Sequence, residues 1–351
     1  MEQRQVNQLG DKSLYIEKNE GNIYIGNYVK DAGSAFLDGS FELSDYSPSI
    51  SPAIFRKEVE QLKQWIEKST QEKNPNRLAL LYGKAGIGKS VVMHDLLTEL
   101  QTNKDYLVWG LKSDQVEFVS AEDLGRRMCL AQPLEIVVKE MATKYKRVVL
   151  LVDQIDALSL SLSSNRAPLR SLLKLIEQIK NIKHVRVIIS CRPYDLEYDP
   201  LLDRLQIKDK WELKEFAKED VLRILKENNC DEFISDNLLQ FLGNPLHLLL
   251  FLKINPHEQQ TTPLSVDLLY HQLWRKYIID DSVRRVEIVR LLTLIDKLVD
   301  TMYNRQELSV HLREFETEFS AELKYMFTHE LLILTKNGQV QFFHQTLFDY
   351  L

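Results

Sequence analysis

The spacing of apolar residues changes character several times along the chain. Over residues 54–68, IFRKEVEQLKQWIEK sets Phe55, Val59, Leu62 and Ile66 at helical intervals, so a helix with one apolar stripe is expected. Apolar strand-like runs follow at 78–82, 106–111, 147–152, 185–190 and about 207–213, with helical periods between most of them. A strand with no polar face needs cover on both sides, so these runs predict an α/β three-layer αβα sandwich on a mainly parallel, five-stranded sheet.

After residue 214 the strand-like runs stop. EFAKEDVLRILKENN, DNLLQFLGNPLHLLLFL and SVDLLYHQLWRKYI are helical in period to about residue 280. VEIVRLLTLIDKLVDTMY and a segment near 318–330 continue as helices. LLILTKNGQVQFFHQ then turns back at Lys336-Asn337-Gly338, the signal of a hairpin. Helices followed by a hairpin suggest a winged helix. At the other end, Leu14 to Ile16 and Ile23 to Ile25 flank the polar EKNEGN, which suggests a hairpin or a pair of edge strands, and SDYSPSISP reads as a linker. The expected division is a β-rich leader and linker at 1–50, an α/β domain at 51–213, a helical domain at 214–281 and a winged-helix domain at 282–351.

Composition narrows the function classes. With 44% hydrophobic and 27% charged residues, the 351-residue chain has the make-up of an ordinary globular protein. The formal net charge is -6 and no basic block stands out, which disfavours nucleic acid as the main partner. Residues 283–351 carry eight Lys or Arg against ten Asp or Glu, a poor balance for phosphate neutralisation. Cys129, Cys191 and Cys230 form no CxxC pair, so neither a zinc site nor a disulfide framework is implied, and a reducing cytoplasm is expected. The polar start is unlike a signal peptide, and the longest apolar runs are too short to span a bilayer.

Candidate chemistry centres on GKAGIGKS, residues 83–90, which follows an apolar strand and opens a helical run. This is the G-x-x-x-x-G-K-S/T pattern in its required context. Gly83, Ala85, Gly86, Ile87, Gly88 and Val91 would bring backbone around phosphate oxygens, with the amides from Gly86 to Val91 at a helix N-terminus. Lys89 would neutralise the β- and γ-phosphates, and Ser90 would ligand magnesium. RVVLLVDQIDAL supplies a second magnesium ligand, Asp153, at the end of a buried strand. The next residue is Gln154, a neutral amide that cannot accept a proton as a base. Asp156 either polarises water or caps the turn after it. VRVIISCRPYDL ends in Arg192, which either reads the γ-phosphate or pairs with Asp195 or Glu197.

GKAGIGKS, LLVDQIDAL, IISCRP, GNPLHLLL and FFHQTLFDYL occur in that order, and from about residue 54 onward the chain resembles the NACHT-type branch of the STAND ATPases, signalling P-loop proteins related to AAA+ machines. The resemblance implies that Arg192 is a sensor arginine, that Pro245 packs against adenine, and that His344 reaches the β-phosphate of bound ADP. It also places Arg56 beside the base, although Phe55 stands where the family has glycine, and a solvated helix charge is the alternative. Family members usually continue into ligand-sensing repeats, so the sequence ending at Asp349-Tyr350-Leu351 is expected to be a shortened form. The leader is similar to those of bacterial STAND proteins.

The implied function is a nucleotide-controlled signalling switch. It would bind ATP or ADP with magnesium, hydrolyse ATP slowly, and self-associate when an unknown trigger ligand activates it toward an effector partner. Slow turnover is expected because Gln154 and Ala157 stand where the family carries a small residue and the second acid. A DNA-binding AAA+ ATPase that reads a groove with its winged helix is the alternative.

Overall fold

The computed structural model describes residues 4–9, 12–19, 22–27, 32–38, 40, 43, 56–68, 77–113, 118–158, 166–205, 207–230, 235–254, 265–279, 286–305, 307–335, 338–343 and 345–351. The chain divides into two compact units, one of residues 1–46, 57–82 and 90–211, the other of 47–56, 83–89 and 212–351.

In the first unit, three antiparallel strands open the chain: β1 (Arg4–Leu9), β2 (Lys12–Asn19) and β3 (Asn22–Asn27). Ile16 pairs with Ile25 across β2 and β3. β1 is an addition that RQVNQL, with only two apolar residues, did not announce. Helix α1 (Ala32–Asp38) was also not foreseen, and the linker at 44–52 lies outside the described residues.

The main sheet contains β4 (Leu78–Tyr82), β5 (Tyr106–Lys112), β6 (Arg147–Asp153), β7 (Val185–Cys191) and β8 (Asp209–Glu212), in the order β5-β6-β7-β4-β8. The pairings β5 with β6, β6 with β7 and β7 with β4 are parallel. All residues of β5, β6 and β7 are buried, which is why their sequences lack alternation. β8 is an edge strand with alternating exposure. Inserting β7 between β4 and β6 sets the C-terminal ends of the three strands side by side.

Helices α2 (Lys57–Glu67), α3 (Lys89–Gln101), α4 (Ala121–Arg127), α5 (Leu134–Lys144), α6 (Ala167–Ile179), α7 (Pro193–Tyr198) and α8 (Pro200–Asp203) complete the described helices through residue 211. The edge of β5 is covered by the α1 region. The Ser40 hydroxyl accepts from Gly110 N–H at 2.8 Å and donates to the Phe36 carbonyl at 2.7 Å, while Phe36 meets Trp109 edge to face. Such cover removes an open strand edge that could pair with another chain.

α2 ends on two buried arginines. Arg147 donates to the carbonyls of Ile66 at 2.8 Å, Glu67 at 3.2 Å and Lys68 at 2.9 Å, and Arg186 adds a bond to Lys68 at 3.1 Å. These guanidinium groups satisfy carbonyls that a helix end leaves unpaired, and their charge opposes the negative end of the helix dipole. Trp65 secures the same turn by donating to Asp209 at 2.7 Å.

The second unit contains α9 (Lys218–Glu227), α10 (Asp236–Phe241), α11 (Pro245–Ile254), α12 (Val266–Trp274), a π turn at Arg275–Ile279, α13 (Ile288–Arg305), β9 (Val310–His311), α14 (Arg313–Thr328), β10 (Leu332–Leu334), β11 (Gln339–Phe342) and α15 (Gln345–Tyr350). β10, β11 and β9 form a small antiparallel sheet in that order. The predicted hairpin is β10–β11, turned at Gly338 with φ 74°, while Lys336 and Asn337 lie outside the described residues. The helix placed near 318–330 starts earlier, at Arg313, and bends at Phe319. A single apolar core runs from Val221 through Leu273 and Leu294 to Leu347, so the helical stretch and the C-terminal elements are packed as one body.

Candidate nucleotide site

The loop between β4 and α3 holds two left-handed glycines, Gly86 with φ 71° and Gly88 with φ 93°. Three successive carbonyls are engaged by other parts of the second unit. Ala85 O accepts from Asn244 Nδ2 at 3.2 Å, Gly86 O from Leu246 N–H at 3.2 Å, and Ile87 O from Arg56 Nη2 at 2.9 Å. A trans peptide points its N–H opposite to its C=O, so the amides of Gly86, Ile87 and Gly88 are turned away from these partners and left for an anion. Lys89 Nζ donates to Gly83 O at 2.7 Å and Lys84 O at 3.0 Å, lying along the inside of the same loop.

Gly86 meets two constraints at once. A Cβ there would lie 2.7 Å from Leu246 Cβ, in a backbone region L residues rarely adopt.

Arg56 is half-buried and held by other parts of the second unit. Its Nη1 donates to Lys214 O at 2.8 Å, and its guanidinium lies 4.1 Å above the Phe216 ring. Pro245 is buried as the first residue of α11, where its missing N–H leaves nothing unsatisfied. Asn244 accepts from Leu246 N–H at 3.0 Å, so one side chain caps α11 and holds the phosphate loop.

The first unit supplies oxygen donors. Ser90 stands in the first turn of α3, its hydroxyl accepting from Gln154 Nε2 at 3.1 Å. Asp153 ends β6 fully buried, and its Oδ1 accepts from Ser190 Oγ at 2.5 Å. Ser190 also receives the N–H of Gln154 at 2.8 Å. Asp156 and Arg192 come together as an ion pair with Nε to Oδ2 at 3.0 Å, joining the turn after β6 to the end of β7. Val91 follows Ser90 in α3, and His344 lies outside the described residues.

A hydroxyl and a carboxylate are the hard oxygen ligands that magnesium takes while sharing its remaining positions with phosphates and water, so these residues fit that ion. Among the described residues no cluster of three or more His, Cys, Asp or Glu could hold a metal by itself.

Motif reading did not find Asn244 and Leu246 as loop partners, nor Ser190 and Gln154 as neighbours of Asp153 and Ser90. A faint signal existed for two of them. Ser190 is a polar residue in the wholly buried β7, and Asn244 stands before a helix-opening proline.

Residues 77–232 match the model of the NACHT domain. The Replication factor C large subunit of Thermofilum pendens is 26% identical over 169 residues, 48% of this chain but only 36% of that protein. Solved structures with similarity include the Walker-type ATPase of Pyrococcus abyssi, at 13% identity and a TM-score of 0.40 over 88% of this chain and 99% of that one. The Aeropyrum pernix ORC2 protein gives 13% identity and a TM-score of 0.41 over 87% and 94%. The fold and the loop define an α/β P-loop NTPase that binds nucleotide. Within that class, the match over residues 77–232 is to the NACHT domain. Among the described residues no helix is long and apolar enough to cross a membrane.

Proposed function

We propose that the protein is a nucleotide-controlled switch that holds ADP or ATP with magnesium, hydrolyses ATP slowly and couples nucleotide state to self-association. One observation carries this reading: the carbonyls of Ala85, Gly86 and Ile87 are bonded to Asn244, Leu246 and Arg56. Strain that a nucleotide places on the loop is therefore passed directly into α11 and the core behind it. In the proposed roles, Lys89 and the loop amides take the phosphates, Ser90 and Asp153 the magnesium, and Arg192 reads the third phosphate. Pro245 would border the base. The elements from α13 to β11 are read as a winged helix, and His344, two residues after β11, is assigned to the β-phosphate of ADP.

Slow hydrolysis follows from what stands near Asp153. Gln154 is no base, and Asp156 is committed to Arg192. A third phosphate that draws Arg192 away would release Asp156, so the ion pair is a reasonable point for nucleotide state to be felt.

The test is the nucleotide carried through purification together with calorimetry on Lys89→Ala. ADP recovered from the parent, and loss of at least about 100-fold in ATP affinity in the variant, is expected for a lysine that neutralises buried phosphate charge. Unchanged affinity would remove the phosphate site.

The alternative, a DNA-binding ATPase, is kept because the curated relative is a replication protein. The charge distribution opposes it. Arg290, Lys297 and Arg305 on α13 are already paired with Glu322, Glu318 and Glu314 on α14. Salt-sensitive retardation of duplex DNA at near-physiological ionic strength would favour the alternative.

A further inference from the structure

Gln154 holds a conformation that glutamine seldom adopts. Its φ is 53°, in the left-handed region where non-glycine residues are uncommon and where strain often accompanies function. Three bonds keep it there. Its N–H donates to Ser190 Oγ at 2.8 Å, its carbonyl accepts from Ala157 N–H at 2.9 Å, and its side-chain Nε2 donates to Ser90 Oγ at 3.1 Å. Ser190 in turn is tied to Asp153. The left-handed turn thus links both proposed magnesium ligands through one residue: Asp153 by way of Ser190, which receives the Gln154 backbone N–H, and Ser90 directly through the side-chain amide.

The chemistry of that amide is specific. A hydroxyl has two lone pairs, and the Nε2 donor uses one of them. A divalent cation on the other lone pair would face the positive end of the N–H bonds at close range, a repulsive arrangement in a partly buried site. The NH2 group must then turn away, or be exchanged for Oε1 by rotation of the amide, at the loss of its bond to Ser90. Glycine or alanine at this place would impose no such competition.

We propose that Gln154 is a positioning residue that sets the magnesium requirement of the site, its amide competing with the cation for the Ser90 hydroxyl and so favouring nucleotide held without metal. This regulation rests on the nucleotide-switch reading and deepens it, because it makes divalent cation concentration a second input.

The experiment measures ADP binding by calorimetry in EDTA, then Mn2+ binding to the ADP complex by electron paramagnetic resonance, for the parent, Gln154→Gly and Gln154→Leu. Gln154→Gly accepts the left-handed backbone, whereas Gln154→Leu keeps bulk and strain but has no donor. In EDTA all three should bind ADP within about 2-fold. Half-saturating Mn2+ should fall by about 5-fold to 10-fold in both variants, the equilibrium worth of one such hydrogen bond. An unchanged requirement, an increased one, or a decrease confined to Gln154→Gly overturns the proposal. Failure of the parent to bind ADP under any condition overturns the switch reading as well, and so separates the two.

Discussion

At the residue scale, the phosphate loop shows how much one atom decides. Gly86 and Gly88 both need the left-handed region, yet a Cβ at Gly86 would strike Leu246, while at Gly88 the nearest atom is Arg56 Nη2 at 3.9 Å. Gly86→Ala should therefore cost more than Gly88→Ala, by about 1–3 kcal/mol from overpacking, and should lower the melting temperature further. Equal melting temperatures for the two would contradict the loop geometry. His247 offers a second test. Its Nδ1 lies 2.9 Å from the Phe241 carbonyl and its ring stacks on Phe241 at 4.3 Å. Burial pushes the imidazole below its usual value of 6.5, only partly offset by the bond to Phe241. A depressed histidine pKa means the unfolded chain binds the proton more readily. The stabilisation is thus complete above about pH 6.5 and is lost as pH falls toward the folded value. His247→Asn, which keeps a donor for the carbonyl, should lose less stability than the parent between pH 7.5 and 5.5. Parallel melting curves over that range would rule out the assignment.

At the element scale, α2 is fixed by its C-terminal end. Arg147 reaches three carbonyls of that end from the first position of β6, and is itself 5% exposed. Arg147→Met would keep most of the buried volume but take this donor from the Ile66 and Glu67 carbonyls, while Lys68 keeps its bond from Arg186. A loss of about 2–4 kcal/mol is expected, or a melting temperature lower by roughly 5–15 °C in thermal unfolding. A second buried pair behaves likewise. Arg166 grips Asp199 through two bonds at 2.5 and 2.7 Å, and Asp199 also caps α8 through Leu201 N–H. Arg166→Ala should cost about 3–5 kcal/mol, since it strands a buried carboxylate. The double variant Arg166→Ala, Asp199→Asn should recover part of that loss. No recovery would mean that packing, not the stranded charge, set the cost.

At the scale of the whole molecule, the common core of the second unit constrains how a switch could operate. Tyr270 on α12 lies 5.4 Å from Tyr350 on α15, and Tyr325 on α14 donates to the Tyr277 carbonyl in the π turn. Separating the C-terminal elements from the helices before them would expose that core. Under the proposed function, ATP-loaded protein should scatter light as a larger species than ADP-loaded protein at the same concentration and salt. Identical masses in both states would remove self-association from the proposal.

What the sequence determined by itself is the part governed by short-range rules. The runs at 78–82, 106–111, 147–152 and 185–190 were legible as strands because burial on both faces leaves no polar alternation, and the phosphate loop was legible because glycine spacing and a lysine follow from backbone sterics and charge. Tertiary structure alone decided which residues meet. Arg56 reads as a helix charge until Phe216 and the Ile87 carbonyl are brought to it. Gln154 looks only like a neutral residue beside Asp153 until the left-handed turn carries its amide to Ser90, 64 residues away. Such contacts depend on chain crossings rather than on neighbours in sequence, so no local pattern records them.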